Sequence, residues 1–428
     1  MVYGMVYNLY MEKQTLQKIL EKQLNGKYYT PKELEHGTEP GTYISPFEYG
    51  ELIAYKESIA SLDNPYISLL PLPTFNFKCL YYSPCSDLKN LLDNFILFSN
   101  EDNGLLDRYS SNFIESRIYS EIEGSLNVEN VPTTRKRLKE LLEDDAPILD
   151  RNDIIIKNMK AGIDFVNRLP EFNKDNLFKL YRLLSNGCLD EEDKLRPLDY
   201  YRYDEVEIDR YYGCPPDKIE ECMNALFDYV NKTLLSKDKN KLILLPHFCH
   251  YYLIYIHPYF DYNGRTARMV SYWIYLLSGC KVFPPIISEA INQTKNDYYK
   301  AIELSRDSHN DLTYFLKYLL SVSIDYLICY QNLDHLEQVV KNKGNVLTQT
   351  ELNYIKKILI SYKGVFSYND FLKMINASMS KQGALKTLNR FVSYGVLKEI
   401  DSTSKVKLFD VNRSSILYSL KNFGYKAR

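Results

Sequence analysis

The sequence has little of what marks a membrane, secreted or nucleic-acid-binding protein. Its 428 residues contain no run of about 18 apolar residues, the length at which a transmembrane helix becomes a candidate. Residues 1–17 lack a basic segment followed by an apolar run and a small-residue cleavage site. The formal net charge is only −2, so any contact with DNA or lipid would have to be local. We therefore expect a cytoplasmic protein without a membrane partner.

Cysteine is present, yet it follows no ligand or disulfide pattern. The eight cysteines include no C-x-x-C pair, and a chain of this length does not need disulfides to fold. We therefore expect free, mostly buried thiols. One cluster could suggest a metal site and comprises His247, Cys249, His250 and His257. Because no carboxylate ligand motif accompanies it, we interpret His250 as a packed or hydrogen-bonded residue.

The composition is that of an ordinary globular protein, with 45% hydrophobic and 25% charged residues. A chain of 428 residues should hold two or three domains. Hydrophobic periodicity and the positions of proline and glycine suggest three parts. They are an N-terminal region over residues 1–105, a mainly α-helical core over residues 106–340 and a C-terminal domain over residues 345–428.

The most informative stretch runs from His257 to Arg268. The apolar residues before it follow a helical spacing, and Pro258 ends that helix because the residue before a proline avoids the α region. Asn263-Gly264 is a turn signal, and a second helical pattern begins directly afterwards. A helix N-terminus behind such a turn presents free backbone NH groups and a positive dipole end, which together favour a phosphate.

The side chains of this stretch suit nucleotide chemistry. Arg265 and Arg268 are three residues apart, so both can reach the same polyanion. Asp261 supplies a carboxylate of the kind that holds Mg2+ beside phosphates. His257 is the side chain here that can take a proton near neutral pH. The residues indicate a nucleotide phosphate site with an adjacent general base, and the alternative is a tight helix corner with surface arginines and a packed histidine.

The same stretch resembles the signature loop of the Fic family, H-x-F-x-[D/E]-G-N-G-R-x-x-R. The matching positions are His257, Asp261, Asn263, Gly264, Arg265 and Arg268. Two positions depart, because Tyr259 stands in place of Phe and Tyr262 in place of the first Gly. If position 262 requires a positive φ, a tyrosine there is strained and could crowd the phosphates.

The resemblance implies a mainly α-helical Fic-type core that moves AMP from ATP to a Tyr, Ser or Thr hydroxyl of a protein, with self-modification also expected. His257 would deprotonate the hydroxyl and Asp261 would hold Mg2+. Asn263 and Arg265, together with the loop NH groups, would stabilise charge on the α-phosphate. Arg268 would hold the γ-phosphate. Loop positions 262 and 264 would also contact the nucleotide.

Three further segments also resemble functional parts of the Fic family. Residues 116–124 resemble the inhibitory helix of the family, [S/T]-x-x-x-E-[G/N], which implies that Glu123 pairs with Arg268 and obstructs the γ-phosphate position. Residues 202–208 resemble the β-hairpin flap, whose Val206 and Ile208 would dock the target peptide by main-chain pairing. Tyr298 or Tyr299, which are adjacent in the sequence, would contact the adenine or ribose of the nucleotide.

The C-terminal domain has three helical patterns followed by two short strand patterns, which resemble a winged helix-turn-helix. Its basic side chains could meet DNA phosphates or form a solvated face of a domain that contacts protein. They are Lys381, Lys386, Arg390, Lys405 and Lys407.

Several alternatives remain open at this point. Within the same family, the enzyme could remove AMP or transfer another nucleotidyl group. Outside enzymes, it could be a DNA-binding regulator with a decayed Fic core. A homo-oligomer is also compatible with the sequence.

Overall fold

The computed structural model describes residues 16–37, 41–61, 64–99, 111–144, 146–236, 238–279, 287–361, 364–376, 379–400 and 406–418. Over these residues the chain is mainly α-helical with a few short strands, which confirms the predicted fold class. No helix in this part of the chain is both long and apolar enough to cross a bilayer. A first compact unit ends at Val322, and a second begins at Ser323.

The first unit begins with short elements whose starts are fixed by caps. The described elements are helical residues 16–25, α1 (Pro31–His36), α2 (Pro46–Ile59), β1 (Ser68–Leu70), β2 (Leu80–Tyr82) and α3 (Ser86–Ser99). Thr30 and Ser45 each form a capping box with a glutamate three residues later, and a proline follows at the first helical position. The two strands pair antiparallel.

The helical core follows along the chain. Its elements are α4 (Ser111–Val128), α5 (Arg135–Leu142), α6 (Arg151–Val166), α7 (Lys174–Ser185), β3 (Glu207–Ile208), β4 (Tyr211–Tyr212), α8 (Pro216–Leu234), α9 (Lys239–Ile256), α10 (Asn263–Leu277), α11 (Ile287–Gln293), α12 (Lys295–Asp307) and α13 (Thr313–Asn342). Thr134, Asp150 and Asn173 cap α5, α6 and α7 by accepting a hydrogen bond from the NH three residues on.

Helices α9 and α10 lie at the centre of this core, and most of their residues are buried. Trp273 on α10 meets Phe172 at 5.1 Å and Phe165 at 6.0 Å between ring centroids. Its indole NH donates to the carbonyl of Pro170 at 3.0 Å, so the ring is both packed and satisfied. Both α9 and α10 are therefore packed into the core over most of their length, and they hold the short loop that joins them.

A buried ionic cluster joins the N-terminal part to this core. The Lys56 ammonium lies 3.1 Å from the Asp311 carboxylate, and both side chains are buried. The Tyr28 hydroxyl bonds to both groups, which satisfies the requirement that buried charges be paired. Tyr28, Lys56 and Asp311 all belong to the first compact unit. The division into three domains stays a prediction.

The second unit contains the predicted C-terminal helices and strands, together with the short strand β5. The elements are α14 (Gln349–Ile360), β5 (Phe366–Ser367), α15 (Tyr368–Met374), α16 (Lys381–Ser393), β6 (Leu397–Ile400) and β7 (Leu408–Val411). The strands form an antiparallel sheet in the order β5-β7-β6. The name winged helix stays an interpretation of these elements.

The basic residues assigned to DNA are partly engaged within this unit. Arg390 pairs with Glu351 at 3.2 Å, and Lys407 pairs with Glu399 at 2.9 Å. Lys405 lies outside the described residues. DNA binding therefore stays a prediction.

Candidate active site

His257 lies at the C-terminal end of α9 in the left-handed conformation, with φ 56° and ψ 62°. The buried Arg202, at the start of the flap segment, holds this helix end. Its Nε donates to the His257 carbonyl at 2.8 Å, and its guanidinium also reaches the carbonyls of Cys214 and Ile256. A cation that satisfies the last carbonyls of a helix fixes both the helix end and the residue that follows. The sequence pattern marked Arg202 as part of the flap but gave no signal for this role.

The ionisation state of His257 suits a general base. Burial, and then the positive charges of Arg306 and Arg202, lower its pKa to about 4. The imidazole is therefore neutral near pH 7 and can accept a proton. A neutral imidazole is what the assigned chemistry requires.

The other two histidines of the sequence cluster serve packing. His250 Nε2 lies 2.9 Å from the Tyr298 hydroxyl, and His247 Nε2 lies 2.7 Å from the Tyr275 hydroxyl. The first contact confirms the interpretation of His250 as a packed, hydrogen-bonded residue. Among the described residues, no three His, Cys, Asp or Glu side chains are grouped so as to hold a metal ion.

Asn263 closes the loop between α9 and α10. Its Oδ1 accepts from the Tyr259 NH at 3.0 Å, and its Nδ2 donates to the Tyr259 carbonyl at 2.8 Å. This side chain is therefore occupied by the loop itself and acts as a positioning group. Direct contact with the α-phosphate, which the resemblance implied, stays a prediction.

Tyr262 adopts φ 66° and ψ 7° at the start of α10, which confirms that position 262 takes a positive φ. Its ring is buried, and the Arg265 guanidinium lies 3.6 Å from the ring centroid. A guanidinium stacked on an aromatic face is stabilised electrostatically. The ring therefore supports the arginine that the resemblance assigns to the α-phosphate.

Arg268 is buried, and its guanidinium already binds a carboxylate. Its Nη2 donates to Glu129 Oε1 at 2.7 Å, and its Nε donates to Ser125 Oγ at 3.1 Å. A side chain at Gly264 would meet Glu129 Oε1 at 2.6 Å from its Cβ, so the carboxylate lies against the first turn of α10. Burial alone would raise the pKa of Glu129, but the charges of Arg268 and Arg265 outweigh it and the pKa is lowered. The glutamate is therefore ionised where a helix N-terminus and an arginine favour a phosphate.

The partner of Arg268 is thus Glu129, whereas the sequence assigned Glu123. The structure places Glu123 beside Arg135, with 3.8 Å between Oε2 and Nη1. The cause is the close crossing of α4 and α11. At this crossing Gly124 faces the backbone of α11, and a Cβ there would lie 2.6 Å from the Glu289 nitrogen. A signal for the correct residue existed, since Ser125-Leu-Asn-Val-Glu129-Asn130 fits [S/T]-x-x-x-E-[G/N] at each fixed position.

Asp261 faces outward at the mouth of the loop, with 44% of its side chain exposed. Its Oδ1 accepts from the Tyr262 NH at 2.5 Å, and its Oδ2 lies 3.7 Å from the Arg265 guanidinium. Burial and the negative charge of Asp261 raise the pKa of Asp193. Two carboxylates therefore create a negative potential at this side of the loop.

A two-stranded hairpin overlaps the end of the predicted flap segment, residues 202–208. β3 and β4 pair with Glu207 opposite Tyr212 and Ile208 opposite Tyr211. Its tip is held to α12, because both Arg210 and the Tyr211 hydroxyl bond to Asp307, at 2.7 and 2.6 Å. The docking role assigned to Val206 and Ile208 stays a prediction.

The structure separates the two tyrosines assigned to the nucleotide. Tyr298 is 2% exposed, and its hydroxyl bonds to His250 in the core. Tyr299 is 43% exposed on the same helix, α12. Tyr299 is therefore the member of the pair that a ligand can reach.

The loop, its base and its anion-holding arginine lie in a region that matches a known family. Residues 171–275 match the model of the Fic/DOC family. Over these residues the chain is therefore similar to the Fic/DOC family.

Curated relatives carry the same family name. Protein adenylyltransferase Fic from Nematostella vectensis is 36% identical over 181 residues, which are 40% of this chain and 38% of that protein. Protein adenylyltransferase fic-1 from Caenorhabditis elegans is 27% identical over 183 residues, and 32% of that protein is covered. A longer match, to protein adenylyltransferase Fic from Drosophila yakuba, is 22% identical over 326 residues, 71% of this chain and 63% of that protein. The chain thus spans less than two thirds of each of these relatives.

Solved structures give weaker likenesses. A Fic family protein from Desulfovibrio desulfuricans superposes with a TM-score of 0.49 at 19% identity, covering 77% of this chain and 97% of that one. Fic-1 from C. elegans superposes with a TM-score of 0.44 at 21% identity, covering 56% of this chain and 69% of that one.

Proposed function

We propose that this chain transfers AMP from ATP to a hydroxyl side chain of a protein, either its own or that of a target. Two kinds of support converge on this reaction. The curated relatives are named protein adenylyltransferases. The loop between α9 and α10 also combines an anion site with a neutral base, which is the pair of groups that the transfer needs.

One observation carries the proposal: the Glu129 carboxylate bonds to Arg268 at 2.7 Å against the first turn of α10. An ionised carboxylate held by an arginine at a helix N-terminus marks a place that stabilises a phosphate equally well. The γ-phosphate of ATP would replace the carboxylate there. The α-phosphate would then lie nearer to Arg265 and His257.

The remaining roles follow from the positions of the side chains. His257 is neutral near pH 7 and takes the proton of the attacking hydroxyl. Arg265 stabilises charge on the α-phosphate, and its buried Nε has no hydrogen-bond partner among the described residues, which leaves a donor for that oxygen. Asn263 holds the loop in shape through Tyr259.

The residues present fit a magnesium ion. Mg2+ is usually bound by one or two carboxylates together with the substrate phosphates. The exposed Asp261 would hold it, and Asp193 adds negative charge close by. When bound, the ion neutralises charge on the phosphates.

We further propose that the wild-type chain is autoinhibited through Glu129. The carboxylate and the γ-phosphate compete for the same guanidinium, so the enzyme is active only when Glu129 leaves Arg268. The hydrogen bond from Arg268 to Ser125 keeps the end of α4 in place during this competition. The sequence assigned the inhibition to Glu123, and the contacts of Arg268 support Glu129 in its place.

Replacing the base tests the transfer reaction. In a chain carrying Glu129→Gly, we expect addition of His257→Ala to lower AMP transfer by about 10² to 10⁴, because a general base is lost. ATP affinity should stay within a few-fold, since His257 contributes no phosphate contact. Intact mass after incubation with Mg-ATP measures transfer, and calorimetry with a non-hydrolysable ATP analogue measures binding. Transfer at an unchanged rate would remove His257 from the mechanism.

A further inference from the structure

A cavity of about 450 Å³ opens beside the flap. One wall is formed by Phe75 and Asn76, which come from the N-terminal region. The other wall is β4 with the adjoining Gly213. Residues far apart in the sequence thus line a single space, which we call the acceptor pocket.

The N-terminal wall is fixed to the helix that carries the base. The Phe75 ring stacks on the Tyr255 ring at 4.3 Å between centroids. The Phe75 NH donates to the Tyr255 hydroxyl at 3.1 Å, and that hydroxyl donates to Asn76 Oδ1 at 2.5 Å. A second tyrosine of α9, Tyr252, donates to the Pro73 carbonyl at 2.7 Å. The wall is therefore preformed rather than assembled by a ligand.

The acceptor pocket adjoins the residue that carries the base. A Cβ added at Gly213 would lie 3.3 Å from the His257 Cβ, so a residue that lines the pocket packs directly on the base. Neither residue of the Arg268–Glu129 contact lines the pocket. The pocket and the anion site are therefore built from different residues, as separate places for two substrates require.

We propose that the acceptor pocket receives an aromatic or long aliphatic side chain of the acceptor protein, close in sequence to the hydroxyl that is modified. This inference rests on the proposed transfer function. The rings of Phe75, Tyr211 and Tyr212 favour an apolar side chain. Because β4 runs along the pocket, the segment that carries this side chain would lie extended against the flap.

The charges at the rim refine the partner. Arg210 is paired with Asp307 at 2.7 Å, which compensates its charge. The remaining charged side chain of the lining is Glu205. A basic residue beside the apolar one therefore complements this rim. The acceptor segment is one with an aromatic or aliphatic residue, a basic residue and the target hydroxyl within a few positions.

Peptide binding tests the proposal without requiring catalysis. The probes are fluorescent nine-residue peptides with a central tyrosine or threonine, in which each flanking position is varied in turn. Their affinity for the full chain carrying Glu129→Gly is measured by anisotropy. We expect an aromatic or long aliphatic residue at one flanking position to bind about 10-fold tighter than alanine.

Variants assign that preference to the pocket. Phe75→Ala and Tyr212→Ala should each abolish the 10-fold preference. Tyr212 is 62% exposed, so its replacement decides the result if Phe75→Ala lowers stability. Phe47→Ala is the matched control, because Phe47 is an exposed phenylalanine of the N-terminal region outside the pocket, and it should keep the preference.

The possible outcomes distinguish a failure of the pocket proposal from a failure of the proposed transfer reaction. The absence of any side-chain preference, or a preference that survives both pocket variants, overturns the proposal even if AMP is transferred. A preference that depends on the pocket supports it even if no AMP is transferred, and that result would contradict the proposed function instead.

Discussion

Tyr262 is the residue where the chain departs most from the family signature, and two opposing effects meet there. Its positive φ costs a non-glycine residue roughly 1 to 2 kcal/mol. Its ring, however, lies 3.6 Å from the Arg265 guanidinium, and such contacts contribute about 0.5 to 2 kcal/mol. The strain and the stack are of similar size, which explains how a tyrosine is accommodated at this position.

The strain and crowding inferred from the sequence would let glycine at position 262 raise ATP affinity or turnover, whereas the stack favours the opposite result. We expect Tyr262→Gly, in the Glu129→Gly background, to lower AMP transfer about 2- to 10-fold because Arg265 loses its support. Tyr262→Phe keeps the ring and should retain the parent rate. Initial rates of self-labelling with Mg-ATP measure both variants. A faster Tyr262→Gly enzyme would mean that strain, and not the stack, dominates at this position.

At the scale of elements, α4 connects the Glu129–Arg268 contact to the rest of the core. Gly124 lets it cross α11 closely, and Glu121 Oε2 accepts from the Ser288 NH at 2.8 Å. One turn further, Ser125 binds Arg268, and Glu129 follows directly after the helix. The position of Glu129 is therefore set by the packing of α4 on α11.

Glu121 gives this packing a pH dependence. Burial raises its pKa from 4.5 to about 7, so the folded chain favours the protonated acid more than the unfolded chain does. The resulting stability is fully present below pH 4.5 and is lost as the pH rises through about 7. We expect Glu121→Gln, which stays neutral, to be more stable than wild type at pH 8 by up to on the order of 3 kcal/mol.

Thermal unfolding at pH 5 and pH 8 measures this effect. The gain in melting temperature should be large at pH 8 and small at pH 5. Glu123→Gln is the matched control, because Glu123 lies on the same helix with 34% of its side chain exposed, and it should show no such pH dependence. An equal gain for Glu121→Gln at both pH values would mean that the folded chain carries an ionised Glu121 without penalty.

The sequence predicted those elements whose ends are set locally. Pro258 and the Asn263-Gly264 turn fix the loop between α9 and α10, and the structure has helix ends at Ile256 and Asn263. It did not predict the partner of Arg268, because which glutamate reaches an arginine depends on how two helices cross. The capping role of Arg202 was missed for the same reason, since its acceptors lie on segments distant in sequence.

At the scale of the whole molecule, the first unit is organised around the C-terminal end of α9. The N-terminal region contacts that helix through Phe75 and Tyr255, and it is tied to the core by the buried Lys56–Asp311 pair. The flap reaches the same helix end through Arg202. The end of α9 is thus held by contacts from two other parts of the chain, while the Glu129 carboxylate at the anion site is positioned by α4. Control of activity is therefore expected at α4.

The measurement that tests this account most directly is the rate of AMP addition to the full chain itself, followed by intact mass with Mg-ATP. We predict that Glu129→Gly labels itself roughly 10- to 100-fold faster than wild type, because a closed state favoured by about 1.4 to 2.8 kcal/mol is released. Glu123→Gly, on α4 and six residues before Glu129, should behave as wild type. Equal rates for wild type and Glu129→Gly, or activation by Glu123→Gly alone, would contradict the account.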